Sequence, residues 1–198
     1  MLYGKVCGMK KQWLITGILA AVDQTIKLLI AHFAIDKMII WIPSVLRFEP
    51  FQNTNLNWFA SMANFKTPVI GMIFLQITAI AGLLLFYRFQ TYKVGAKSRL
   101  LSGAFCFASA GILCSFIDVV FWGGSLDFIG LFNWFIFDTK DVFLNTGWIL
   151  ALIWTWRHEK KLKKSYSNDL NTEDIAFAIW FRSGCKLLPN TTSEYTRI

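Results

Sequence analysis

Charged residues are scarce in this sequence. Only 16% of its 198 residues carry charge, against about 25% in soluble domains, which excludes a water-facing surface over most of the chain. Cysteine is too sparse to staple a fold: Cys7, Cys106, Cys114 and Cys185 fit neither a disulfide framework nor a zinc site. No cluster of His, Cys and carboxylates has metal-ligand spacing in the sequence, and there is no Gly-rich phosphate loop. Internal repeats and low-complexity tracts are absent too. The formal net charge is +8, yet the basic residues sit beside apolar stretches and form no separate basic domain. Nucleic acid is therefore excluded as a partner.

What is abundant is apolar length. The chain is 55% hydrophobic with a mean hydropathy of +0.47. A bilayer span needs about 20 residues, and four segments approach it. They predict an all-α polytopic membrane protein with transmembrane helices at 13–35, 68–87, 100–122 and 139–157. The fourth reaches full length only by starting near Thr139, which takes Asp141 into its mouth. The first is too long and too interrupted by charge to be a cleaved signal peptide. Met9-Lys10-Lys11 has the form of a membrane-protein start, so residues 1–8 read as an upstream extension.

Basic residues set the orientation. Lys5, Lys10, Lys11, Arg88, Lys93, Lys97 and Arg99 fall on one side, with Arg157, Lys160, Lys161, Lys163 and Lys164. Only Lys37, Arg47, Lys66 and Lys140 fall on the other. Residues 1–12, the loop 88–99 and a disordered tail 158–198 are thus expected in the cytoplasm. The first external loop, 36–67, should hold short twisted strands around residues 42–51. The second, 123–138, has Gly123-Gly124 and an aromatic run from Phe132 to Phe137, and should be a surface-lying lid.

Two carboxylates then stand out. Asp118 ends the third apolar segment and Asp141 opens the fourth, at the same face and depth. Asp141 alone is equally well explained by the helix dipole, with Asp138 as N-cap; the shared depth with Asp118 favours a functional pair. Asp23 and Lys27 lie one turn apart inside the first segment and can pair, either to fix packing or to serve a site. Gln24 is a further polar group there. Asp127 reads as a turn carboxylate. Cys114 reads as a small packing residue, because the only intramembrane histidine, His32, is on another helix.

These residues resemble the pattern of the lipoprotein signal peptidase (signal peptidase II) family over roughly residues 10–158. Asp23-Gln24-Thr25-Ile26-Lys27 matches its D-Q-x-x-K signature. Asn55 to Ser61 stands against N-x-G-A-A-F-S, with Asn57 in place of glycine. Gly111 and Asp118 match G-G-x-x-G-N-x-x-D-R, where Ser115 replaces asparagine and Val119 arginine. Leu126-Asp127-Phe128 stands against V-D-F. Phe137-Asp138-Thr139-Lys140-Asp141 stands against F-N-x-A-D, with Gly147 six residues on. The resemblance implies an aspartyl endopeptidase with Asp118 and Asp141 as its catalytic pair. Asp23, Lys27, Asn55, Ser115, Asp127 and Asp138 would be supporting or substrate-binding residues, with no metal and no cofactor. It implies a monomer in a bacterial cytoplasmic membrane that meets membrane lipid and the signal peptides of lipidated prolipoproteins. Two rivals stand beside it. One is a proton- or ion-coupled transporter, since buried carboxylates also make relays. The other is an inactive binding or assembly protein of the same shape.

Overall fold

The computed structural model of the protein describes residues 9–54, 68–94, 98–132, 134–165 and 180–181. In chain order these form α1 (Lys10–Phe33), β1 (Ile39–Ile42), β2 (Leu46–Asn53), α2 (Val69–Val94) and α3 (Arg99–Ile117). A π-helical turn (Asp118–Trp122), β3 (Ser125–Leu131), β4 (Phe135–Phe137) and α4 (Thr139–Ser165) follow. Three helices, Lys10–Phe33, Val69–Thr91 and Arg99–Trp122, are long and apolar enough to cross a bilayer. α4 has 27 residues, but it opens on Thr139-Lys140-Asp141 and ends in basic turns, so its apolar stretch is shorter. Among the described residues, length and composition thus qualify three of these four helices as spans.

The helices are built for lipid. The buried face of α1 carries Gln12, Thr16, Ala20, Asp23, Lys27 and Ile30, while Leu14, Ile18, Val22, Leu28 and Leu29 point outward. A helix in water does the reverse. In hydrocarbon the apolar face needs no shelter, and the polar groups must find partners inside the protein. α3 is the central helix, packed on α4 most extensively and on α1 and α2 as well. Ala20, Ala110, Cys114 and Phe143 form one core cluster, with Cys114 fully buried as a packing residue. Tyr87, Leu101, Phe105 and Trp154 form a second. Gly147 sets the α3–α4 approach: a Cβ there would lie 2.8 Å from the Ala108 backbone nitrogen.

Both external loops contribute to one antiparallel sheet in the order β1-β2-β3-β4. This corrects two expectations. The fold is not purely helical outside the first loop, and residues 123–138 are not simply a lid. β3 lies inside the sheet, paired with β2 (Leu46 with Leu131, Phe51 with Asp127) and with β4 (Ile129 with Phe137). Its alternation explains why: Leu126 and Phe128 pack with Ile30 of α1, while Ser125 and Asp127 fall on the other face. Gly123 closes the preceding π turn at a φ of 63°, a conformation that favours glycine.

The start of the expected tail is also different. α4 runs on to Ser165, because Lys and Glu are good helix formers and cations suit a helix C-terminus. Trp180 is fully buried, with its ring 5.3 Å from that of Phe89 on α2. The rest of the expected tail, and the first loop beyond Thr54, lie outside the described residues.

Gly147→Ala is expected to lower stability by about 1–3 kcal/mol, because helix backbones must part to admit the methyl. Equilibrium unfolding in detergent micelles measures it. Gly82→Ala, where a Cβ meets nothing within 4 Å, should cause no loss.

Candidate active site

Lys27 is the first anchor of the site. It is fully buried and reaches Asp118 at 2.6 Å, Asp138 at 2.7 Å and Asp23 at 3.2 Å. The helical spacing of Asp23 and Lys27 accounts for one of these contacts; the other two tie α1 to the end of α3 and the start of α4. Gln24 donates to Asp118 Oδ1 (3.2 Å) and to Asp23 Oδ2 (3.0 Å), and its carbonyl accepts the Trp122 indole N–H at 3.0 Å. Asp23 also accepts from the Thr139 hydroxyl.

Lys140 is the second anchor. Its ammonium lies 2.6 Å from Asp138, 3.5 Å from Asp127, 3.6 Å from Asp118 and 4.0 Å from Asp141. It also donates to Ser125 Oγ. Ser125 contacts the carboxylates of Asp127 (2.6 Å), Asp138 (3.0 Å) and Asp118 (3.3 Å). Asn53, from β2, donates to Asp127 at 3.2 Å. The sheet thus delivers Asn53, Ser125 and Asp127 to the mouth of the helices.

The start of α4 is a reciprocal cap. The Asp141 N–H donates to Asp138 Oδ1 at 3.2 Å, and the Asp138 N–H donates to Asp141 Oδ2 at 3.3 Å. Each side chain satisfies a backbone donor that the helix itself leaves free. Asp138 is therefore both a cap and a bridge between the two lysines.

The charge balance follows from these contacts. Burial works to raise the Asp138 carboxyl, but Lys140 and Lys27 outweigh it and hold it below the ordinary carboxylate range. Burial keeps Asp127 above that range although Lys140 opposes it. Carboxylate oxygens of Asp127, Asp138 and Asp141 lie within 4.8 Å of one another, a spacing that could hold a cation. Lys140 already supplies positive charge there.

Asp23, Lys27, Asp118, Asp127, Asp138 and Asp141 are brought together at one end of the helices. Asp118, at the start of the π turn, and Asp141, in α4, converge on one nitrogen rather than pointing apart. Asp127 is no turn carboxylate: it sits in β3, bonded to side chains. Ser115 is not in this cluster; it accepts from Gln76 of α2 at 2.8 Å, because it faces α2 while Asp118, three residues on, faces α1. Asn55 lies outside the described residues. Lys140, Ser125, Thr139 and Asn53 were not expected. Lys140 had one signal, a cation beside two acids at a helix mouth.

The sequence model of the family described as signal peptidase (SPase) II matches residues 15–157. The chain belongs to the signal peptidase II family. Membership makes it a peptidase by class and, with its apolar helices, a multi-pass membrane protein. It is 27% identical over 156 residues to the lipoprotein signal peptidase of Listeria monocytogenes serotype 4a, covering 76% of this chain and 96% of that protein. Against the lipoprotein signal peptidase of Listeria welshimeri it is 28% identical with the same coverage. Two bacterial membrane enzymes determined in meso share the fold. One, at 2.3 Å, has a TM-score of 0.61 at 23% identity, covering 82% of this chain and 94% of its own. The other, at 1.9 Å, has a TM-score of 0.61 at 25% identity, covering 73% and 92%. Trp180 lies beyond the residues of the family match.

Lys27→Met leaves three buried carboxylates short of a cation. We expect it to lower stability by about 3–5 kcal/mol, read by equilibrium unfolding in micelles. Wild-type stability would show that Lys27 ties nothing together.

Proposed function

We propose that this signal peptidase II family member is an intramembrane aspartyl endopeptidase. It removes signal peptides from diacylglyceryl-modified prolipoproteins, cutting just before the lipidated cysteine. The observation that carries the reading is the convergence of Asp118 and Asp141, from two helices, on a single ammonium at 3.6 and 4.0 Å. In this reading one of the two carboxyls is protonated and the other ionised when the reaction begins.

The two acids have unequal surroundings, which suits a division of labour. Asp118 is nearly fully buried and accepts from Lys27 and Gln24. That donor set suits the role of general base. The Asp141 side chain is 38% exposed and open to substrate, which suits the protonated partner. Asp118 takes a proton from water as the water attacks the scissile carbonyl. Protonated Asp141 polarises that carbonyl and then gives its proton to the leaving amine as the C–N bond breaks. No covalent acyl-enzyme forms.

Depth supports the substrate class. The dyad lies where α3 ends and α4 begins, at the end of the apolar spans. A signal peptide lying as a helix in the bilayer presents its lipidated end at such a boundary. α4 serves as the fourth span in this reading, and the distribution of basic residues supports an orientation with both termini in the cytoplasm of a bacterial cell. The protein works as a monomer in the cytoplasmic membrane.

Asp118→Asn and Asp141→Asn should each lower cleavage of a lipidated precursor by roughly 10²–10⁴-fold while membrane insertion is retained. A gel-shift assay with purified enzyme on lipidated and unlipidated precursors measures this. Normal processing by either variant rejects the dyad. Equal cutting of both precursors rejects the substrate class.

A further inference from the structure

Two departures from the family pattern touch each other. Where that pattern reads F-N-x-A-D, this chain has Asp138 and Lys140, and their side chains form an ion pair of 2.6 Å. A third departure is Val119, a buried apolar residue beside Asp118 where the pattern has arginine. Relative to the pattern, the chain thus lacks a cation at position 119 and carries one at position 140.

The two ammonium groups of the site are not equivalent. Lys27 is closed off, with its three donors spent on Asp118, Asp138 and Asp23 and no exposure. Lys140 retains 11% side-chain exposure. Two of its donors go to Asp138 and Ser125. The third has only long contacts, 3.5 Å to Asp127, 3.6 Å to Asp118 and 4.0 Å to Asp141. A charge-assisted N–H···O bond is about 2.7–2.9 Å, so this donor stands off from both members of the dyad. An oxygen that enters between them meets it.

We propose that Lys140 is a further catalytic residue of this chain, whose ammonium donates to the scissile carbonyl oxygen as negative charge develops there. The inference rests on the dyad reading above. Water adds to the carbonyl carbon as Asp118 takes its proton, and the C=O π pair moves onto oxygen. Lys140 and protonated Asp141 hold that oxygen. On collapse the C=O re-forms, the C–N bond breaks with its pair on nitrogen, and the nitrogen takes the Asp141 proton, which leaves the dyad's single proton on Asp118. Lys140 stays protonated throughout and acts by electrostatic stabilisation alone. Asp138 and Ser125 fix its position.

The test is Asp138→Asn combined with Lys140→Ala, which removes one acid and one base and leaves the cluster's net charge unchanged. Lys140→Gln and Lys140→Arg accompany it, all assayed on a lipidated precursor with unfolding followed in parallel. Loss of one oxyanion donor costs about 10²–10³ in kcat. We expect that fall in the double variant and in Lys140→Gln, with KM changed by less than about threefold. Lys140→Arg, which keeps the charge, should retain kcat within about tenfold. Full kcat in the folded double variant overturns the proposal, as does an effect on KM alone. Failure of both neutral variants to fold assigns Lys140 to structure and overturns it as well. Asp118→Asn in the same assay separates the two readings: its retention of activity removes the dyad itself.

Discussion

Buried like charge is the constraint on which this molecule depends. Five aspartates share one pocket with two lysines, and nearly all of these groups are shielded from water. Unpaired, each carboxylate would cost several kcal/mol in such surroundings. The lysines make the arrangement tolerable, and in doing so they fix the tertiary structure. Lys27 holds α1 against the ends of α3 and α4. Lys140 holds the start of α4 against β3. In lipid no hydrophobic driving force holds helix against helix, so ion pairs and close small-residue packing take a larger share of specifying who meets whom.

The sheet completes what the helices cannot. Three helices could bring Asp23, Lys27, Asp118 and Asp141 together, but Asp127, Ser125 and Asn53 come from strands. The period-2 alternation of β3 turns Leu126 and Phe128 toward Ile30 and leaves the polar pair for the pocket. One strand therefore serves as a core element on one face and as part of the site on the other.

The helices and the acids are legible in the sequence because each signal is local. Long apolar runs give spans, and an aspartate at the end of such a run is conspicuous. The interior position of β3 is not legible, since its partner β2 lies more than seventy residues earlier and register across that distance leaves no pattern. Lys140 is hidden for another reason. A basic residue in an external segment weighs in the orientation balance as a loop charge, and only the cap geometry at Asp138 and Asp141 turns it inward. Ser115 misleads because adjacency to Asp118 in sequence says nothing of the helix face it occupies. The length of α4 is misjudged at its polar end, where hydropathy falls before the helix does.

The π turn at Asp118–Trp122 carries one residue more than an α-helical turn of the same rise. Everything downstream is therefore out of phase with α3. Deleting a single residue between Val119 and Phe121 would restore ordinary helical winding and rotate the exit of the chain by about 100°. Ser125 and Asp127 would swing out of the pocket with their identities unchanged. Spacing in this segment is consequently as restrictive as composition, and a gap there in a related sequence signals a rebuilt pocket, not a shortened loop.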